Sequence, residues 1–227
     1  MAARSLRTRL LVTYLASFFS FCLLLFWPAG TLAYWHGWLY IVVFLGFGLI
    51  VSLILLRDDP NLLASRMAFG PQAETDPVQK VIQCASAVLF MGLLALCGMD
   101  YGVNGPRFST MASVLAVAAF GLGGYPLYMV LKENGYAAAT IRIQKGQTVI
   151  STGPYACIRH PMYSWAIFFF LVTPPALASV WGFAAAPLIT AAIIVRLLRE
   201  ERYLLANLPG YAEYCEKVRY RLLPLVW

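Results

Sequence analysis

Between Arg9 and Arg57 the chain carries no aspartate, glutamate, lysine or arginine. A helix needs about 20 apolar residues to cross a hydrocarbon core of roughly 30 Å. This run therefore has room for two crossings, and Pro28 and Gly30 interrupt it where a turn between them is expected. Further charge-free runs extend from Val81 to Met99, Phe108 to Leu131 and Pro161 to Val195. A chain that is 61% hydrophobic and only 12% charged lies too far from the roughly 25% charge of soluble domains to build an ordinary soluble core. The pattern predicts an all-α, polytopic membrane helix bundle with about six transmembrane segments and a single membrane domain over 1–227. The first four helices occupy 1–131, with spans near 10–27, 38–56, 81–99 and 108–131. A polar loop, a helical hairpin and a tail follow over 132–227.

The last two spans share only 35 uncharged residues, short for two crossings and a turn. The fifth starts at Pro161 and is expected to break at Pro174-Pro175; the sixth runs from about Val180 into Arg196. Either the pair is a tight hairpin of short helices, or the sixth continues past Arg196. The second is favoured, because Ala184 to Leu205 holds one helix breaker, Pro187, near its start and is otherwise rich in good helix formers.

Lysine and arginine fall almost wholly on one side of these spans. Sixteen lie in the amino terminus, the 57–80 loop, the 132–160 loop and the tail from Arg196; Arg107 alone lies opposite. This bias predicts an even number of crossings with both ends cytoplasmic. Trp27, Trp35, Trp38 and Trp181 fall at the expected outer boundary, where an aromatic belt forms. The net charge of +7 is accounted for by orientation, so no nucleic-acid partner is inferred. The start resembles a signal peptide, yet Leu10 to Trp27 exceeds an h-region of about 7–15 residues and suits a span. Five scattered cysteines form no CxxC pattern, and His36 is remote from His160, so neither a disulfide framework nor a metal site is expected.

Polar groups concentrate from Asn134 to Tyr163 and from Arg196 to Arg221, flanking one hairpin, so they can meet at its mouth. In the first stretch Gly146 and Gly153-Pro154 mark turns, and Ile141, Ile143 and Val149 suggest short extended or irregular pieces. His160 precedes Pro161, a residue tolerated in a helix's first turn, which sets the histidine at the membrane surface. By itself it could equally be a hydrogen-bonded interface residue. In the second stretch Arg196 and Glu200 are spaced i, i+4 and can pair. Arg199, Glu201 and Arg202 read either as a solvated helix end or, with Arg196 one turn deeper, as a mixed-charge pocket suited to a zwitterion. After Pro209-Gly210, the spacing of Tyr211, Tyr214, Cys215 and Val218 marks one face of an amphipathic tail helix. That helix either lies on the membrane or packs as a lid on the bundle.

GPYACIRHPMY, then RLLREE, then LPGYAEYCEKVRYRLLP resembles the integral membrane methyltransferases of the isoprenylcysteine carboxyl methyltransferase and phospholipid methyltransferase superfamily, over about 125–227. The resemblance implies S-adenosylmethionine bound at the cytoplasmic ends of the last helices. The cofactor-binding residues it implies are Gly153, Pro154, Tyr155, Arg159, His160, Tyr163, Glu200, Glu201, Tyr211 and Tyr214; Pro161 and Arg196 also match the family pattern. Ser164-Trp165 stands where many relatives have glycine, which bears on how the cofactor lies or which substrate is chosen. A sulfonium donor already carries an activated methyl group, so transfer is chiefly a matter of proximity and orientation. A carboxylate acceptor needs a cation to hold it, Arg196 or Arg199; an amine acceptor needs a base, Glu200 or Glu201. The expected catalytic residues are thus Arg196, Arg199 and Glu200.

The expected function is methyl transfer to a lipophilic small-molecule acceptor, foremost a prenylcysteine-type carboxylate, with membrane lipids as the remaining partners. Alternatives are a phospholipid amine methyltransferase, an NADPH-dependent sterol or isoprenoid reductase with a similar tail pattern, and a non-catalytic membrane scaffold. The lack of an organelle-targeting sequence points to a bacterial inner membrane.

Overall fold

In a computed structural model the chain is described over residues 2–68, 74, 76–136, 140, 143 and 146–227. Ile141, Arg142 and Lys145 lie outside the described residues. Eight α-helices are present among the described residues: α1 (Ala2–Ala29), α2 (Trp35–Asp58), α3 (Pro60–Met67), α4 (Pro77–Asn104), α5 (Thr110–Glu133), α6 (Pro161–Ala176), α7 (Ala186–Asn207) and α8 (Tyr211–Lys217). Among the described residues five stretches are long and apolar enough to cross a membrane: Ser5–Ala29, Trp35–Asp58, Pro77–Asn104, Thr110–Glu133 and Trp181–Asn207. Four match the first four expected spans, and the fifth is the expected last span, helical well past Arg196.

The fifth expected span, α6, has 16 residues and so extends about 24 Å at 1.5 Å per residue. It nevertheless reaches both ends of the bundle. At one end His160 meets Glu201. At the other, Tyr34, just before α2, donates its hydroxyl to the Leu177 carbonyl at 2.5 Å, and the Arg107 amide donates to Ala178 at 2.8 Å. Pro174 and Pro175 do not break α6; they occupy its last turn. The helix stops at a Schellman cap, in which Ser179 N–H donates to Pro174 O and Ala178 N–H to Pro175 O. Ala178 takes the left-handed conformation, φ 51°, where glycine is usual.

Asp100, wholly buried near the end of α4, secures this hairpin tip. One carboxylate oxygen accepts from Ser179 Oγ at 2.8 Å, Val180 N–H at 2.9 Å and Trp181 N–H at 3.1 Å. The other accepts from Asn104 at 2.8 Å. Nothing in the charge pattern marked Asp100 except its place at the end of an apolar run.

α1 packs chiefly on α4, and α5 on α6. The α1–α4 contact is close because Gly98 and Gly102 face the backbone of α1. A Cβ on Gly98 would lie 2.4 Å from the Leu25 carbonyl oxygen, and one on Gly102 2.9 Å from those of Pro28 and Ala29. Small residues four apart let helices approach this way in membranes. The centre is aromatic, with Phe21, Tyr40, Phe44, Phe120 and Phe169 packed together; the Phe44 and Phe120 rings stack with centroids 5.8 Å apart.

Leu6 and Leu10 of α1 pack with Leu55, Leu62, Leu131 and Met162. The amino end of the chain thus lies at the end of the bundle that carries the RHPMY motif. Of the two residues expected to mark the turn, Pro28 lies inside α1, which runs to Ala29, and Gly30, at φ 66°, makes the turn. Helix α3 was not legible as a helix within the 57–80 loop, although Asp59 caps Leu62 N–H at 2.9 Å and Pro60 opens it.

Candidate active site

The two polar stretches meet at the mouth of the α6–α7 hairpin. After α5, Thr152 binds Glu133, and Gly153, at φ 56°, turns the chain into a 3₁₀ segment, Gly153–Ala156. This delivers Tyr155 to the interior. Tyr155 accepts from Asn134 at 3.0 Å, and its carbonyl accepts from the Tyr214 hydroxyl at 2.8 Å. Burial raises the pKa of Tyr155 above the usual phenol range.

α7 and α8 supply the opposite wall. Gly210, at φ 82°, reverses the chain. Tyr211 and Tyr214 then bury themselves with Leu208 and Val218 against Ile143, Val149 and Leu204. α8 therefore packs as a lid, one of the two readings its periodicity allowed. Ile143 and Val149 lie in irregular backbone.

Between these walls lies a cavity of about 110 Å³. Its polar lining includes Asn134, Tyr136, Arg159, His160 and Glu200; Tyr155, Tyr211 and Tyr214 add rings, and Met162 and Leu204 apolar surface. Of the implied cofactor residues, Tyr155, Arg159, His160, Glu200, Tyr211 and Tyr214 border it. Gly153, Pro154, Tyr163 and Glu201 do not line it. The Tyr211 hydroxyl is buried at the wall with no hydrogen-bond partner among the described residues, whereas that of Tyr214 is taken by Tyr155. Burial raises the pKa of both phenols.

The paired glutamates face different partners. Glu200 accepts from the Tyr163 hydroxyl at 2.5 Å, and that oxygen accepts from Arg196 Nε at 3.1 Å. Arg196 and Glu200 thus meet through Tyr163. Arg196 also reaches Gln79 at 3.3 Å and Glu74 at 3.0 Å. Glu201, 4% exposed, holds three basic side chains: Arg159 Nη1 at 3.1 Å, His160 Nε2 at 3.2 Å and Arg221 Nε at 2.7 Å.

Arg199 turns to Asp76 at 3.3 Å, away from the cavity. The Asp76 carboxyl is held below the usual range chiefly by the Val78 N–H it caps, with Arg199 adding to the effect. Glu74 and Asp76, in the connection before α4, were not singled out in the sequence; a carboxylate within a segment bounded by basic residues gives no periodic signal. Among the described residues no cluster of three His, Cys, Asp or Glu side chains is placed to hold a metal ion.

The fold is that of a polytopic helical membrane protein, with a polar cavity at one end of its last hairpin. Residues 111–209 match the family model described as phospholipid methyltransferase. The matched part, α5 through α7, is similar to that family, which is consistent with the membrane methyltransferase superfamily. The match contains the GPYACIRHPMY and RLLREE motifs and ends just before Tyr211. No curated protein matches the chain.

Proposed function

We propose that the chain transfers the methyl group of S-adenosylmethionine to a lipophilic acceptor, with a prenylcysteine-type carboxylate foremost, at the cytoplasmic face of a membrane. The observation that carries this reading is the cavity itself. It brings Glu200, His160 and three tyrosine rings from separate stretches to one wall system, and Tyr211 presents a buried hydroxyl with no hydrogen-bond partner among the described residues. These residues fit a zwitterionic sulfonium ligand. Glu200 offers a carboxylate to its ammonium, Tyr211 a donor, and the rings faces that attract a cation. Arg159 and His160 offer basic groups to its carboxylate. When bound, the donor supplies an activated methyl group; the protein's part is placement and exclusion of water.

The acceptor arrives from the bilayer. An apolar groove of about 280 Å³ between α1, α2 and α5, lined by Phe47, Val51, Leu127 and Leu131, reaches Arg66 on α3. Arg66 Nη1 lies 3.2 Å from Met162 Sδ, and Met162 borders the polar cavity. Arg66 therefore stands between the groove and the cavity, positioned to hold an acceptor's carboxylate. Of the two cations expected to do so, Arg196 and Arg199, the first donates to Tyr163 at 3.1 Å and the second pairs with Asp76 at 3.3 Å. A bacterial inner membrane, with both chain ends inside, agrees with the sixteen-to-one basic bias and with the common end shared by α1's start and the RHPMY motif.

Purified protein incubated with methyl-labelled S-adenosylmethionine and a panel of lipophilic carboxylates, thiols and amines tests this. Label in a base-labile ester of a carboxylate is the expected product. Absence of both donor binding and labelling with every acceptor would refute it.

A further inference from the structure

Glu201 belongs to the motif that resembles a cofactor site, yet its oxygens are occupied by the chain's own groups. Oε1 accepts from Arg159 and His160, and Oε2 from Arg221. The first two lie beside the cavity; the third lies in the tail beyond α8.

That tail is docked at several further points. The backbone N–H groups of Arg159 and His160 donate to the Tyr220 and Arg221 carbonyls, each at 2.9 Å. Arg159 also donates through Nε to Val218 O at 2.7 Å and through Nη2 to Cys215 O at 2.8 Å. Ser164 Oγ donates to Leu222 O at 2.6 Å. Beyond this the chain closes on itself: the Trp227 carbonyl accepts from the N–H groups of Arg221, Leu222 and Leu223 at 2.9, 2.9 and 3.2 Å. The Trp227 ring lies 5.2 Å from the Arg221 guanidinium carbon, within range of a cation–π contact.

We propose that residues 218–227 form an intramolecular latch and that Arg221 is a positioning residue for the donor cavity, acting through Glu201 on Arg159 and His160. The proposal rests on the donor-binding reading above. The reason is geometric. A carboxylate shared by three basic groups fixes all three only while each remains in place, and Arg221 is the member carried by the tail. With the latch docked, Arg159 and His160 are held from both backbone and side chain. With it released, Glu201 loses its 2.7 Å partner and is free to draw the other two from the cavity wall. Donor binding and latch docking are therefore linked, and linkage is reciprocal.

The test uses the full-length protein in detergent. Calorimetric titration with S-adenosylmethionine is expected to show affinity falling about tenfold or more in Arg221→Gln, the size of effect that follows loss of a hydrogen bond to a buried charged group. Arg221→Lys, which keeps the cation but not the planar fork, recovers part of it. In turnover assays the donor KM rises while the acceptor KM is unchanged. In the wild type, donor binding slows hydrogen exchange at Arg221, Leu222 and Leu223. If Arg221→Gln fails to fold, Ser164→Ala, which removes the hydroxyl that donates to Leu222 O at 2.6 Å and reaches His160 O at 3.2 Å, should show the same weakening on a smaller scale. Unchanged donor affinity in whichever variant folds, or tail exchange indifferent to the donor, would overturn the latch. A wild type that does not bind the donor would overturn the reading beneath it as well.

Discussion

Glu200 and Glu201 are adjacent in sequence and opposed in role: Glu200 borders the cavity and accepts from Tyr163, while Glu201 is buried among Arg159, His160 and Arg221. Neutralising them should therefore have different consequences. Glu201→Gln removes the buried counter-charge of Arg159 and of the partly exposed Arg221, and truncating one partner of a buried ion pair costs up to about 3–5 kcal/mol. A large fall in melting temperature is expected, with loss of donor binding. Glu200→Gln keeps a group able to accept from Tyr163, so the melting temperature should stay near wild type while turnover falls. Equal thermal effects would show that the asymmetry is not energetic.

The two tail tyrosines separate in the same manner. Tyr214→Phe removes the hydrogen bond to the Tyr155 carbonyl and should cost about 1 kcal/mol of stability. Tyr211→Phe removes a buried hydroxyl with no hydrogen-bond partner among the described residues, so stability should hold or rise while donor affinity falls. Thermal melts and donor titrations of both variants check this; a destabilised Tyr211→Phe with normal affinity would contradict it.

Much of this was legible beforehand, for reasons that differ by residue. Charge-free length placed the helices, because a bilayer admits little else. Helix propensity carried α7 past Arg196. The RHPMY and REE motifs brought His160 and the glutamates to one hairpin mouth. The divided roles of Glu200 and Glu201 were not legible, because which face of α7 each takes depends on the tail that docks there. Nor were Arg66, Glu74 and Asp100, whose contacts with Met162, Arg196 and Ser179 span about 80 residues or more of sequence. The opposite error arose at Pro174-Pro175, where local chemistry predicted a break but the last helical turn accommodates both prolines.

At the far end of the hairpin, Asp100→Asn would place an amide where a carboxylate now accepts four hydrogen bonds. Hydrogen bonds to charged groups contribute about 1.5–3 kcal/mol, so a loss of about 2–3 kcal/mol is expected. Because the cavity lies at the other end, donor affinity in the folded fraction should be unchanged. A selective loss of affinity without destabilisation would contradict this division.

The α1–α4 contact gives a steric prediction. Gly98→Ala puts a methyl group against the Leu25 carbonyl, an overpacking expected to cost about 1–3 kcal/mol. Gly92→Ala, on the same helix with nothing within 4 Å of the added carbon, should be neutral or slightly stabilising. Equal melting temperatures for the two variants would refute the close approach.

Arg66 gives the acceptor's side of the account. Arg66→Gln should raise the KM for lipophilic carboxylates about tenfold or more, as expected when a charged hydrogen bond is lost, while leaving donor affinity unchanged. An unchanged acceptor KM would show that the groove ending at Arg66 does not deliver the acceptor.

The most direct measurement of the central claim is transfer of labelled methyl from S-adenosylmethionine to a lipophilic carboxylate by the purified protein, followed by base treatment. The account predicts labelled ester that releases volatile label in base and is greatly diminished in Glu200→Gln and Tyr211→Phe. Unlabelled acceptor, together with no detectable donor binding by the wild type, would contradict it.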